Sequence, residues 1–207
     1  MKGLIIGGTG TISAAVVNYL IKKNYDLTVL NRDFNSHRIK KKKIKLIKAD
    51  YNIYSKDEIL KKFSDYYDFV INFNIFTKEQ ALKEIEIYRN ITEKYFFISS
   101  TAIFDDKEII NEKSKLTKKW NYARNKIICE NIFKEEFEKN QFPIIILRPS
   151  HTVNSFTFPT HVQGLGFGLY KIAKQTNSIY TFTDHTNFWS FISSLDFAKI
   201  LFNILNK

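Results

Sequence analysis

One cysteine, Cys129, stands among the 207 residues, so neither a disulfide framework nor a multi-cysteine metal site is open to this chain. The expected compartment is therefore the reducing cytoplasm. No apolar run is long enough to span a bilayer, and Met1 leads straight into a folding pattern rather than a signal peptide. Arginine is scarce as well: Arg32, Arg38, Arg89, Arg124 and Arg148 are set against 27 lysines. The net charge of +11 invites a nucleic-acid reading, but recognition of bases and phosphates favours Arg, and a lysine excess reads as a solvated surface. Nucleic acid is thus an unfavoured partner. The dense run from Ile39 to Lys45 is open to two readings, a stretch lining a phosphate or a loop and edge strand kept soluble by charge. Glycine is sparse, with only 7 residues, and they are clustered. Gly3, Gly7, Gly8 and Gly10 fall in the first ten positions, and Gly164, Gly166 and Gly168 form a second knot. Such placement marks backbone geometry that other residues do not tolerate.

What is present in quantity is apolar material, 44% of the chain, enough for one substantial core. Short β-rich runs occur at Gly3 to Gly7, Leu27 to Leu30, Ile44 to Lys48, Phe69 to Asn72, Tyr95 to Ser99 and Ile144 to Arg148. Amphipathic stretches at Thr11 to Lys23, Lys56 to Phe63, Lys78 to Asn90 and Leu116 to Asn140 alternate with them. Nearly continuous Val/Ile/Leu/Phe strands separated by helices predict a Rossmann-type, doubly wound parallel α/β sheet with helices on both faces. This part spans residues 1–150. After Pro149 a loop rich in Ser, Thr, His and Phe is expected up to Gly168, then a helix at Leu169 to Gln175. Short strands at Ile179 to Thr183 and Asn187 to Ile192 and a final helix at Leu195 to Leu205 complete a small region, 151–207, on the substrate side.

The segment Leu4-Ile5-Ile6-Gly7-Gly8-Thr9-Gly10-Thr11-Ile12-Ser13 reads as strand, glycine turn and helix start. Gly7 permits the tight turn and Gly10 a close approach to a pyrophosphate. The free N–H groups near Thr11 and Ile12 face that anion, and Ser13 is the third small residue where helix meets strand. The second strand ends Asn31-Arg32, where an acid would select the ribose 2′-hydroxyl of NAD and an Arg accommodates the 2′-phosphate of NADP. NADP is favoured over NAD, with Asp33 nearby keeping the choice open. Asp50 is either an acceptor for the adenine amino group or the cap of the following turn.

A Tyr and a Lys four residues apart share a helix face, and a neighbouring ammonium lowers the phenol pKa for proton transfer to a substrate oxygen. The pattern occurs at Tyr19/Lys23, Tyr122/Lys126 and Tyr170/Lys174; with 11 Tyr and 27 Lys, one or two such pairs arise by chance. Context selects Tyr122/Lys126, on the helix after Phe96-Phe97-Ile98-Ser99-Ser100-Thr101, a strand ending in hydroxyl residues at the sheet's ligand-binding edge. Thr101 and His151 are candidate substrate contacts. His161 and His185 lack the spacing of a metal site, and no metal is expected.

Together the segments IGGTGTIS, FISSTAIF, YARNK, ILRPSHT and FWSFISSLDFAKIL resemble the extended, epimerase/dehydratase-type short-chain dehydrogenases/reductases. The resemblance implies an NAD(P)-dependent reductase, epimerase or dehydratase acting on a small hydroxyl substrate such as a nucleotide sugar. It implies Tyr122 as general acid/base, Lys126 as modulator of its pKa and ribose ligand, and Ser100 as the hydroxyl that holds the substrate oxygen. Pro149 to Thr152 match the loop beside the nicotinamide, and Asp196 matches the aspartate that opens the late helix. Phe104 stands where the family commonly has Tyr, Ser13 replaces the third glycine, and relatives continue past the late helix. The C-terminal lobe is accordingly expected to be incomplete. A non-catalytic NAD(P)-binding sensor or RNA-binding relative is the alternative, and a homodimer is compatible with either.

Overall fold

Strands made of uninterrupted Val, Ile, Leu and Phe must be covered on both faces, and the apolar runs of this chain assemble in that way. The computed structural model describes residues 1–32, 38–40, 44–63, 65–105, 109–117, 119–154, 166–178 and 190–207. Within them β1 (Lys2–Ile6), β2 (Asp26–Asn31), β3 (Lys45–Lys48), β4 (Phe69–Asn72), β5 (Tyr95–Ile98) and β6 (Ile144–Leu147) form one sheet of order β3-β2-β1-β4-β5-β6. Every pairing is parallel. This is the doubly wound order, and the direction of winding reverses between β1 and β4.

Period-two alternation sends Ile5, Val29, Phe69, Ile71 and Phe96 to one face, where α1 (Ser13–Lys22) and α6 (Ser194–Leu205) cover them with Val16, Val17, Leu20, Phe197 and Leu201. Leu4, Ile6, Val70, Tyr95 and Phe97 turn to the other face, under α2 (Lys56–Lys62), α3 (Lys78–Tyr88) and α4 (Asn121–Asn140) with Ile59, Ile85 and Phe133. Helix starts follow local chemistry. Ser55 with Glu58 and Thr77 with Gln80 close capping boxes on α2 and α3, and the Ser193 hydroxyl accepts from Asp196 N–H at the start of α6. Gly3, mid-strand in β1, is required by packing: a Cβ there would lie 2.1 Å from the Phe69 ring.

Three expectations are corrected. The helix expected from Leu116 begins at Asn121, because Leu116 bridges Phe104 in an antiparallel pair and Thr117 N–H donates to the Ile103 carbonyl at 2.8 Å. The loop expected after Pro149 contains β7 (His151–Val153), which pairs in parallel with β8 (Phe191–Ser193). Gly166 and Gly168, expected at the end of that loop, lie in the first turn of α5 (Gly166–Thr176), and among the described residues nothing lies within 4 Å of where a Gly168 Cβ would be. Asp33, His161, Gly164, His185, most of the lysine run and the strand expected at Ile179 to Thr183 lie outside the described residues.

Candidate active site

The carboxyl ends of β1, β2, β4, β5 and β6 bring the candidate residues to one edge. β1 runs into Gly7, whose φ of +82° is a left-handed conformation that a side chain would strain. Gly7 N–H donates to the Leu30 carbonyl at 2.9 Å, tying the turn to β2. A Cβ on Gly7 would lie 2.6–2.8 Å from the Asn74 amide, so the turn also abuts the loop after β4. At Gly10, among the described residues, only the Ser13 hydroxyl comes within 4 Å of a Cβ position, and that hydroxyl accepts from Gly10 N–H at 2.8 Å. Ser13 is buried, as expected of a residue wedged where helix meets strand.

The start of α1 at Ile12 carries no side-chain cap, and its first turn holds no acid. Backbone N–H groups, the positive end of the helix dipole and a glycine turn free of carboxylates form a donor set that fits a dinucleotide pyrophosphate. Asn31, at the end of β2, donates from its amide to the Thr9 hydroxyl. Arg32 Nη1 lies 3.9 Å from Asp50 Oδ2, with the arginine side chain largely in solvent. Asp50 also accepts from Asn52 N–H at 3.0 Å and caps the 3₁₀ turn Tyr51–Ile53. Of the two roles open to Asp50, the capping one is present in the structure.

The second cluster sits at the ends of β5 and β6. Ser100 caps the 3₁₀ turn Thr101–Ile103, its hydroxyl accepting from Ala102 N–H at 3.1 Å. Thr101 N–H and hydroxyl both donate to the Pro149 carbonyl, at 3.1 and 3.4 Å, which joins the β5 and β6 loops. Tyr122, in the first turn of α4, is half-exposed, with its ring centroid 6.4 Å from that of Phe76. Burial pushes its hydroxyl pKa up, and a hydrogen bond with Ser100 opposes that shift.

Lys126, one turn further along, is 2% exposed and donates to the carbonyls of Ile75 and Ile98, both at 2.8 Å. Its Nζ lies 4.5 Å from the Phe76 centroid, 4.8 Å from Phe97 and 5.8 Å from Tyr122. Burial lowers its pKa to about 8 against the opposing pull of Cys129 and Glu130. The expectation that Lys126 depresses the Tyr122 pKa is corrected in this arrangement. Two of the ammonium's protons are committed to carbonyls, and burial dominates the phenol.

His151, on β7, meets Phe191 edge to face at 5.3 Å, and burial lowers its pKa. Asp196 lies in the first turn of α6, where it accepts from Lys199 and from the Ser193 hydroxyl. Among the described residues no three His, Cys, Asp or Glu side chains converge to hold a metal ion, and no helix is long and apolar enough to cross a membrane.

Several residues at this edge escaped the sequence reading. Asn74 abuts the glycine turn from two residues past β4, a polar residue at a strand's carboxyl end that could have signalled it. Arg38 donates to the Thr9 carbonyl at 3.5 Å and Asn154 to the Thr11 carbonyl at 3.1 Å, contacts with no local sequence signature. A cavity of about 190 Å³ opens beside Asn74 between Tyr51, Asn52, Gln80 and Lys83, with Glu84 among its lining residues. Glu84 is fully buried, accepts from Asn72 at 2.9 Å and from the Tyr95 hydroxyl, and is pushed up in pKa by burial.

A family model described as the NAD dependent epimerase/dehydratase family matches residues 3–207. Solved structures share the fold. A UDP-N-acetylglucosamine 4-epimerase from Methanobrevibacter ruminantium, in complex with UDP-N-acetylmuramic acid, superposes with a TM-score of 0.82 at 18% identity, over 100% of this chain and 73% of that one. A UDP-glucuronic acid 4-epimerase from Bacillus cereus, in complex with UDP-glucuronic acid and NAD, gives 0.77 at 17%, over 100% and 74%. The UDP-glucose 4-epimerase of Thermus thermophilus, in complex with NAD, gives 0.78 at 16%, over 100% and 75%. No curated protein matches the chain by sequence.

Proposed function

The chain belongs to the NAD-dependent epimerase/dehydratase family, and from that premise we propose that it is an NAD(P)-dependent epimerase, dehydratase or reductase acting at a hydroxyl-bearing carbon of a nucleotide-sugar-like substrate. The observation that carries this reading is the convergence of a carboxylate-free glycine turn and the Ser100, Tyr122 and Lys126 side chains on one sheet edge. Similar folds bound to NAD and to UDP-sugars support the cofactor and substrate class. Residues 1–150 form the dinucleotide-binding part, and 151–207 contribute the substrate side through His151 and the β7–β8 pair, next to Pro149.

When bound, the nicotinamide supplies the hydride acceptor and donor. Gly7, Gly10, Thr11 and Ile12 hold the dinucleotide by backbone, and Asn31, Arg32 and Asp50 border its adenosine end. With a raised pKa, Tyr122 rests as the neutral phenol and so acts first as general acid, giving its proton to the substrate oxygen. The Ser100 hydroxyl hydrogen-bonds that oxygen. In the oxidising direction Tyr122 Oη must accept the hydroxyl proton, and Lys126, whose ammonium is held by the Ile75 and Ile98 carbonyls, is the cation that binds the cofactor ribose. Turnover is expected to fall as the pH rises through about 8, where Lys126 loses its charge. A rate that stays flat to strongly alkaline pH would remove Lys126 from this role. The direct assay is conversion of a panel of UDP-sugars by NAD(P)-loaded protein, and failure to convert any while binding dinucleotide would overturn the enzymatic reading.

NADP is the favoured form. Arg32 directly follows β2 with its guanidinium largely solvent-facing, and Arg38 donates to the Thr9 carbonyl of the glycine turn, so these two cations would hold a 2′-phosphate. Arg32→Ala should reduce the ratio of NADPH to NADH affinity by about tenfold, a change of about 1.4 kcal/mol. An unchanged ratio in calorimetric titrations would refute the assignment of Arg32.

A further inference from the structure

We infer that the Glu130–Arg148 ion pair, its carboxylate buried, positions Lys126, fixing the inner face of α4 against the ends of β5 and β6 and setting the charge balance that the ammonium experiences. This rests on the reading above of Lys126 as the cation of the site. Glu130 follows Lys126 by four residues, one turn along the same helix face, and is likewise 2% exposed. Arg148, directly after β6, grips it in a fork: Nε donates to Oε1 at 2.8 Å and Nη2 to Oε2 at 2.6 Å. The guanidinium in turn lies over the Phe104 ring at 5.3 Å, so the pair is anchored to the strip that carries Ser100 and Thr101. A helix pinned at Glu130 presents Lys126 at the height where Nζ reaches the Ile98 and Ile75 carbonyls.

Among the described residues, titratable groups and ring faces surround Lys126. Tyr122, Cys129 and Glu130 share its helix, Phe76 and Phe97 present ring faces, Arg148 acts from the end of β6 through Glu130, and Glu79 on α3 acts on Cys129. Glu130 is the acid among them that lies nearest along the helix face. Burial pushes its carboxyl up, but the two hydrogen bonds from Arg148, with the charges of Arg148 and Lys134, hold it below the ordinary value and hence ionised. Lys134 approaches the same carboxylate at 3.4 Å from a more exposed position. Removing the carboxylate would leave Lys126 beside a cation with no counter-charge. Removing the guanidinium would leave it beside an uncompensated anion. The two changes should therefore move Lys126 in opposite directions, which a purely structural role would not produce.

The test is nuclear magnetic resonance of the full chain, isotope-labelled at the lysine ε-carbon, with the Lys126 signal identified by its loss in Lys126→Met. Relative to wild type, Glu130→Gln should shift the Lys126 titration down by about 1 pH unit and Arg148→Met should shift it up. Glu130→Asp, which keeps the charge, should restore most of the wild-type value. If Glu130→Gln fails to fold, the upward shift in Arg148→Met still decides the matter. Shifts of the same sign, or no shift in folded variants, would overturn the inference. The readout needs neither cofactor nor turnover. Opposed shifts in a protein that binds no dinucleotide would fault the functional reading, while dinucleotide binding without opposed shifts would fault this one.

Discussion

Tyr122→Phe should lower turnover by about 10²–10⁴-fold while leaving dinucleotide affinity within about twofold of wild type. The substitution keeps the ring that lies against Phe76 and removes only the hydroxyl that Ser100 bonds. Because Tyr122 is half-exposed, losing one hydroxyl should cost little stability, so a fall in rate would report chemistry rather than folding. The split between rate and affinity is the informative part. Loss of proton transfer alone acts on the transition state and leaves cofactor binding by the glycine turn and Lys126 in place. Wild-type turnover in Tyr122→Phe would remove the tyrosine from the mechanism.

Gly7→Val should act on the other half of the site and on the fold together. The backbone at Gly7 has φ of +82°, a conformation costing a β-branched residue about 1–3 kcal/mol. The new Cβ would also meet the Asn74 amide at 2.6–2.8 Å. Relief requires either Asn74 or the turn to move, and the turn is tied to β2 through the Leu30 carbonyl. A Tm lowered by roughly 5 °C and dinucleotide affinity reduced tenfold or more, on the order of 1.4 kcal/mol, are expected from thermal unfolding and titration. Unchanged affinity in a folded Gly7→Val protein would mean that the turn holds no phosphate.

The sheet was legible in the sequence because each central strand is apolar on both faces. Val70 and Tyr95 serve one layer of helices and Ile71 and Phe96 the other, leaving no polar alternation to confuse the pattern. The amphipathic stretches from Lys56 and Lys78 likewise announced α2 and α3, and the Ser55 and Thr77 capping boxes that start them came only from the structure. The start of α4 was not legible. Leu116 continues an apolar periodicity, and only its pairing with Phe104, across a loop, takes it out of the helix. β7 was hidden for the same reason, since a three-residue strand exists only through its distant partner β8. At the site, the residue types were readable but their partners were not. Spacing places Lys126 on the face of Tyr122, whereas the two backbone carbonyls that claim its ammonium come from β5 and from the loop after β4. Arg38 and Asn154 were invisible because their contacts with the glycine turn arise only from the folded arrangement.

The most direct measurement is a calorimetric titration of NADP(H) and NAD(H) into the full chain. A glycine turn that cradles a pyrophosphate predicts saturable, one-to-one binding that survives Tyr122→Phe and is lost or strongly weakened in Gly7→Val. Heats of dilution alone, for both dinucleotides and in both redox states, would contradict it.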